Sequence, residues 1–390
     1  MARQLAGGYV LDLRAGAGER EHGAARGRGA GRSRGAGRNR GAGQGRGSAR
    51  QGSPAQAVPS VLIVSRLADA ERDAVARMLA SVAVPVTRLD AESAPDGGMA
   101  IDLEHRAVLI GQQWIMPTVT WIRHFSVRAM PRKRGAVRQA FAADSWQAAI
   151  DQLSVVSTRA ITSRDRGLLE QLMLARNHGI AIPRTVVTTD PAAARHLLGS
   201  QRVVIKALDR HFVEASPGLL TGVFPEILGE SELCRASMPP VAMQEYVEHD
   251  TEIRSYYVAG DVAAAFEITK PDPAAPWLDA DQVIAAQIEA PPAVAEATRT
   301  LAAAMGAEHA ALDFLIAGGT PVFLEANLAG DWCWLESRAG VEPVTNAMAR
   351  ALAESHRQVA TLIPGHGLDL IAFLSGSAGN TGVDKGERSL

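Results

Sequence analysis

Ala310-Ala-Leu-Asp-Phe-Leu-Ile-Ala-Gly-Gly-Thr-Pro-Val-Phe-Leu-Glu-Ala-Asn327 is the stretch from which the fold is read. Two apolar runs flank Gly318-Gly319-Thr320, the pattern of a β-hairpin. With those three residues as the loop, Ala317 pairs with Pro321, Asp313 lies across from Glu325, and Ala311 lies across from Asn327. Side chains alternate faces along a strand, so Asp313, Glu325 and Asn327 share one face. Leu312, Phe314, Ile316, Val322, Leu324 and Ala326 form the other, a continuous core surface. Carboxylates opposed across a ladder repel unless something lies between them. Two carboxylates and an amide oxygen make an all-oxygen set suited to Mg²⁺, which takes few protein ligands and completes its shell with phosphate and water. The alternative is a partly exposed hairpin with two unpaired acids.

The 390 residues allow two or three domains. A hydrophobic content of 47% excludes wholesale disorder. The net charge of −2 hides an imbalance, because ten arginines lie between Arg14 and Arg50 and leave the rest acidic. That argues against nucleic acid as a partner of the folded part. Only four lysines occur, Lys133, Lys206, Lys270 and Lys385, which makes a lysine inside a strand conspicuous. Cys234 and Cys333 have neither metal-ligand spacing nor the look of a disulfide framework. No apolar run reaches transmembrane length, and no secretory signal core opens the chain. A soluble protein of the reducing cytoplasm, with no membrane partner, is the expectation.

Residues 1–58, rich in Gly, Ala, Arg and Ser, read as a disordered arm. The arm lacks the aromatics that single-strand binding uses. Residues 59–157 read as a small α/β domain, with strands near 61–65, 84–89, 99–103, 107–111 and 119–123 and a helix over 68–81. It has no glycine-rich dinucleotide fingerprint after its first strand. Helices are expected over 137–155 and 165–178, the second stopped by Gly179. Strands over 203–206 and 241–247 follow. A second hairpin, 252–267, turns at Gly260-Asp261 and faces Arg254 to Glu267. Helices over 291–305 and 343–356 flank the first hairpin, and 376–390 read as a flexible tail.

The ordered set of strand-end Lys206, Gln244-Glu245-Tyr246-Val247, Glu252-x-Arg254, Asp313 and Glu325-x-Asn327 resembles the ATP-grasp superfamily of carboxylate ligases, over about residues 158–373. The resemblance implies an α/β (α+β) architecture, with an ATP-grasp domain over 158–375 behind the small N-terminal domain. Without the family, a strand-end ammonium such as Lys206 can reach a phosphate as a point charge. Segment 244–247 can offer backbone groups and a carboxylate to an adenine edge. The plain alternatives are a surface lysine, an interdomain linker strand and an Arg254–Glu267 ion pair. By resemblance, Lys206, Gln244, Glu245, Tyr246, Val247, Glu248 and Glu252 hold ATP, with Glu245 and the Tyr246–Val247 backbone at adenine and Glu248 or Asp250 at the ribose. Arg254 and Lys206 are the implied catalytic cations, Arg254 neutralising the transferred phosphoryl or the acyl phosphate. Asp313, Glu325 and Asn327 match the family's Mg²⁺ ligands.

Within the superfamily, Glu325-Ala-Asn-Leu-Ala-Gly-Asp-Trp-Cys-Trp-Leu-Glu336 is similar to the E-x-N-P-x-G-Q-W-x-W-x-E segment of microviridin-type peptide maturases, the graspetide synthetases. Trp121-Ile-Arg123 looks like their W-x-R-R motif. The resemblance implies an ADP-forming ligase that activates a side-chain carboxylate of a ribosomally made precursor peptide and joins it to a hydroxyl or amine of the same peptide. It is compatible with a homodimer. The other readings are a RimK-like ligase adding an amino acid to a carboxylate, and a non-catalytic ATP-binding protein. Three departures stand out. Leu168 occupies the place of a second phosphate lysine, with Arg164 and Arg166 the cations nearby. The loop 207–218 is not glycine-rich, and His124 and Asp331 replace Arg and Gln. Trp332 and Trp334 can also be read as core or wall aromatics.

Overall fold

The computed structural model describes residues 3–5, 8–10, 52–131, 135–162, 166–208, 212–216, 219–222, 225–229, 239–271 and 282–362. Arg164, Cys234, the tail 376–390 and most of the arginine-rich arm lie outside the described residues. Within the stretch expected to be disordered, β1 (Arg3–Leu5) and β2 (Gly8–Val10) pair antiparallel. Tyr9 and Val10 are strand-favouring residues, which the reading by overall composition passed over.

β3 (Val58–Ser65) opens a six-stranded sheet. α1 (Ala70–Ser81) returns the chain to β4 (Val86–Asp90), which runs parallel to β3. Asp69 caps α1 by accepting the Arg72 N–H at 3.0 Å, and Val75 and Leu79 bury one helix face. A single turn, α2 (Ala94–Gly97), precedes β5 (Met99–Asp102), β6 (Ala107–Ile110) and β7 (Gln113–Ile122). β7 starts six residues before the strand expected over 119–123. Pro117 breaks the strand signal there, but it sits beside an irregularity in the β3–β7 register, where a proline is tolerated. α3 (Ala136–Leu153) then leads to β8 (Arg159–Thr162), which pairs with β7 although it lies past residue 157.

α4 (Leu168–Asn177) ends as expected at Gly179, whose φ of 74° is the left-handed value of a helix stop. The second sheet contains β9 (Thr185–Thr188), then, after the turn α5 (Pro191–Ala194), β10 (Arg202–Lys206). β11 (Phe212–Ser216) and β12 (Leu219–Gly222) form a hairpin that β2 joins. β13 (Glu226–Gly229) and β14 (Val241–Glu245) complete the order β13-β10-β14-β9. Val203, Ile205, Val241 and Met243 pack into a core on one face, so alternation turns Lys206 and Gln244 to the other.

The third sheet is built from β15 (Thr251–Val258), β16 (Asp261–Thr269) and β17 (Ile284–Ile288), and, after α6 (Pro292–Met305), from β18 (His309–Ala317) and β19 (Thr320–Asn327). Its order is β17-β16-β15-β18-β19. α4 and α6 cover one face through Ile253, Leu312, Phe314, Phe323 and Ala326. α7 (Cys333–Ala339) and α8 (Pro343–Ala360) close the described chain. Val344, Met348 and Leu352 form a stripe on α8 that packs Tyr256 and Phe266 together with Ile63 and Trp121 of the first sheet. Each such buried side chain contributes roughly 1.5–3 kcal/mol. Among the described residues no helix is long and apolar enough to cross a membrane.

Both hairpins turn differently from expectation. The first turns through two residues, since Ala317 pairs with Thr320 and Ile316 with Pro321. Gly318 and Gly319 have φ of 54° and 81°, as a type I′ turn requires. A bulge between Asp313 and Phe314 absorbs the extra residue, so Asp313 still opposes Glu325 and Ala311 still opposes Asn327. The bulge also changes the core face: Phe323, not Leu324, packs with Phe314, their ring centroids 5.7 Å apart. Val322 is buried but lies outside that cluster. In the second hairpin Val258 pairs with Asp261, so the turn is Ala259-Gly260, and a bulge follows at Tyr256. Arg254 therefore opposes Phe266, while Glu267 opposes Ile253 on the other face. The expected Arg254–Glu267 pair does not form, and Glu267 accepts the Thr251 hydroxyl at 2.9 Å instead.

Candidate functional site

Lys206, Arg254, Asp313 and Glu325 meet on the face of the third sheet opposite α4 and α6. Asp313 is flanked in register by Arg254 on one side and Glu325 on the other. Arg254 Nη1 lies 2.9 Å from both Asp313 oxygens. Lys206, the last residue of β10, donates Nζ to Glu325 Oε2 at 2.9 Å. Lys206 and Arg254 are only 4% and 8% exposed, so each cation depends on its carboxylate. Glu252, two residues before Arg254 on the same face, receives Lys270 Nζ at 2.5 Å, and His249 Nε2 lies 3.4 Å away. Asn327 opposes Ala311 and so shares the face of Glu325.

Burial pushes the Asp313 carboxyl up to about 6 despite Arg254, and the charges of Glu325 and Glu252 push the same way. Burial disfavours the Arg254 cation, yet Asp313 and Tyr256 hold its pKa above the ordinary value. Asp313, Glu325 and Asn327 are the residues that could hold a hard cation. Among the described residues no three Asp, Glu, His or Cys side chains converge on one point. Two carboxylates and an amide fit an ion that draws the rest of its shell from phosphate and water.

The expected nucleotide residues are placed less uniformly. Gln244 shares the face of Lys206 and donates Nε2 to Thr185 Oγ1 at 3.0 Å. Glu245 turns the other way, and its Oε1 accepts the Arg184 N–H at 2.9 Å. The Tyr246 N–H donates to the Arg202 carbonyl at 3.1 Å, and the Arg202 guanidinium lies 3.9 Å from its ring. Arg202 also pairs with Glu248 at the surface. The Val247 carbonyl meets His249 Nδ1 at 2.8 Å. Asp250 pins the first hairpin by accepting the Gly318 N–H at 3.1 Å, which occupies one of the oxygens expected at a ribose. Residues 244–248 thus run from the end of β14 into the connection, 246–250, between the second and third sheets. Arg166 donates to the Met305 carbonyl at 3.0 Å and pairs with Glu170.

Sequence reasoning missed Gln171. Its side chain donates to the Ala326 carbonyl at 2.9 Å and accepts the Ala326 N–H at 2.8 Å. It thereby ties down the edge strand between Glu325 and Asn327, where the sheet leaves backbone groups unpaired. The signal was a polar residue in the buried stripe Leu168, Leu172, Ala175.

Trp121 and Trp332 stack with centroids 6.2 Å apart, and the Arg123 guanidinium lies 5.2 and 5.0 Å from their rings. Arg123 donates to Asp69 at 2.9 Å, Glu71 at 3.3 Å and Asp331 at 2.8 Å. His124 Nε2 lies 2.7 Å from the same Asp331 oxygen, so the two replaced motif positions are contact partners. Burial raises the Asp331 pKa, but His124, Arg123 and Arg254 more than reverse this and hold it below the usual carboxylate range. Glu71 caps α7 by accepting the N–H groups of Trp332 and Cys333 at 3.0 and 2.9 Å. Glu336 does the same for α8, accepting from Val344 and Thr345 at 2.7 and 3.0 Å. Trp332 is a buried core aromatic, whereas Trp334 is half-buried beneath Arg338.

No protein-family model and no curated protein matches the chain. Solved structures do. The ATP-grasp ligase PsnB complexed with minimal precursor, Mg and ADP matches with a TM-score of 0.62 at 20% identity, over 77% of this chain and 99% of that one. The macrocyclase MdnC of Microcystis aeruginosa MRC, bound with precursor peptide MdnA, gives 0.63 at 18% identity, over 76% and 100%. A RiPP-associated ATP-grasp ligase of Chryseobacterium gregarium, in complex with ADP and a leader and core peptide, gives 0.56 at 20%, over 79% and 98%. The likeness is one of fold, and the chain has the ATP-grasp fold.

Proposed function

We propose that the protein is an ADP-forming ligase that activates a side-chain carboxylate of a ribosomally made precursor peptide and joins it to a hydroxyl or amine of that peptide. The observation that carries this is the convergence of Lys206, Arg254, Asp313 and Glu325 on one sheet face, with each cation paired to one carboxylate. A dication entering alone would strand two buried cations. A dication arriving with phosphates gives both cations new anionic partners as it takes the carboxylates. The site therefore favours a metal–nucleotide complex over either component.

In this reading Asp313, Glu325 and Asn327 hold Mg²⁺, which when bound neutralises phosphate oxygens. Lys206 holds phosphate as a point charge, and the planar Arg254 fork faces the transferred phosphoryl and then the acyl phosphate. Gln244, Glu245, Tyr246, Val247, Glu248 and Glu252 lie along the connection where adenine and ribose are proposed to sit. The proposal of a peptide substrate is supported by the two motif segments that meet at Arg123 and Asp331, and by neighbours solved with precursor peptides. The enzyme is proposed to act in the cytoplasm, with residues 59–157 as the N-terminal domain and 158–375 as the ATP-grasp domain.

The test is co-expression with the short peptides encoded beside the gene, followed by mass spectrometry. Successive losses of water from one peptide are expected. Consumption of ATP with free amino acids, and no change in any peptide, would favour a RimK-like ligase. Leu168 and the engagement of Arg166 with Met305 and Glu170 favour a second reading, a non-catalytic nucleotide-binding protein. ATP binding without ADP release would select it.

A further inference from the structure

Arg254 is gripped from two sides. Its Nη1 faces Asp313, and its Nε donates to the Tyr256 hydroxyl at 3.0 Å. That hydroxyl donates in turn to the Asp331 carbonyl at 2.6 Å, so its one proton is committed. The Asp331 side chain is held by Arg123 at 2.8 Å, and Arg123 is anchored on Asp69 and Glu71 beside the first sheet. The loop carrying Asp331 packs closely on β18, where only a glycine fits at position 330, since an added Cβ would lie 2.5 Å from the Ala311 Cβ. Tyr256 is fully buried with its ring edge-on to Phe266, 5.9 Å between centroids. A phenylalanine would fill the same space, and a buried hydroxyl is a cost unless both its bonds are made.

We propose that Tyr256 is a positioning residue for Arg254, and that Asp331 and Arg123 extend its grip so that the docked N-terminal unit sets the orientation of the Arg254 guanidinium. The inference rests on the reading of Arg254 as the group that faces the transferred phosphoryl. A guanidinium is planar, so fixing Nε and Nη1 together fixes its plane. When an incoming phosphate draws Nη1 away from Asp313, the Nε–Tyr256 bond is the restraint that stays. The geometry of the fork then depends on a chain of contacts that crosses from the third sheet to the first.

The test is the arginine side-chain ¹H–¹⁵N spectrum of the full chain, with the Arg254 Nε–H assigned by its loss in Arg254→Lys. Tyr256→Phe keeps the ring packed and removes one charge-assisted bond, so solvent exchange of that Nε–H is expected to rise about tenfold. Asp331→Asn, or Arg123→Lys should the former fail to fold, is expected to raise it about threefold. Binding of a fluorescent ATP analogue with Mg²⁺ should stay within about twofold in Tyr256→Phe, while single-turnover ADP formation slows about tenfold. Unchanged exchange in Tyr256→Phe overturns the positioning role. A rise there with none in the Asp331 and Arg123 variants overturns the link to the N-terminal unit. A parent chain that binds no Mg²⁺-ATP would instead defeat the ligase reading, and the exchange measurement would still stand.

Discussion

Arg123 and Asp331 are 208 residues apart in the chain and meet at 2.8 Å, with the Arg123 guanidinium beside the stacked rings of Trp121 and Trp332. Two motifs that look separate in sequence are the two halves of one joint. The Arg123 side chain is 1% exposed and is balanced by Asp69, Glu71 and Asp331. Arg123→Met leaves these acids without their cation, and a loss of roughly 3–5 kcal/mol is expected. Urea unfolding of the variant checks this, and a midpoint equal to the parent's would deny the joint its structural weight.

Asp313→Asn and Glu325→Gln should each lower ADP release at least about a hundredfold, some 2.7 kcal/mol in activation free energy. The amides keep shape and a hydrogen-bond acceptor for Arg254 and Lys206, which alanine would orphan. Parent-like turnover in either variant, with the fold verified by circular dichroism, would remove the metal assignment.

Arg254→Gln should reduce turnover far more than nucleotide affinity, because the charge it faces develops during transfer. Titration with an ATP analogue and single-turnover kinetics separate the two. Weakened binding with undiminished turnover would contradict the role.

Glu336→Ala removes the acceptor for the first N–H groups of α8 and for the Thr345 hydroxyl. A loss of roughly 2–4 kcal/mol is expected, with a change in the fluorescence of Trp332, whose indole donates to Thr345 at 2.8 Å. An unaltered thermal midpoint would show the cap to be dispensable.

His309 is buried against Trp332, and burial together with the charge of Arg123 lowers its pKa from 6.5 to about 3. The unfolded chain takes up a proton below about 6.5 that the folded chain refuses until about 3. This contribution is therefore complete above pH 6.5 and is lost as pH falls through that window, with a slope approaching about 1.4 kcal/mol per pH unit. In His309→Asn the fall in stability between pH 7 and pH 5 should be visibly shallower. Equal slopes for parent and variant would refute the assignment.

What the amino-acid order decided by itself was local. Alternation along β18 and β19 placed Asp313, Glu325 and Asn327 on one face, Gly179 stopped α4, and the apolar run of β10 ended on Lys206. These follow from residues a few positions apart, whose pleat and turn chemistry carry their own geometry. Even there the loop count was wrong by one, and only the bulge at Asp313 kept the carboxylates opposed.

The partner of Arg254 was decided by the turn and bulge of the second hairpin, which set Arg254 opposite Phe266 and not Glu267, and by sheet order, which lays β18 with Asp313 on its other side. Gln171 at the edge strand, Glu71 capping α7, and the contact of His124 with Asp331 likewise exist only once separate layers are packed. Strand neighbours and layer contacts are selected by burying whole faces against each other, a condition on surfaces assembled from distant segments. Neighbouring residues carry no record of it.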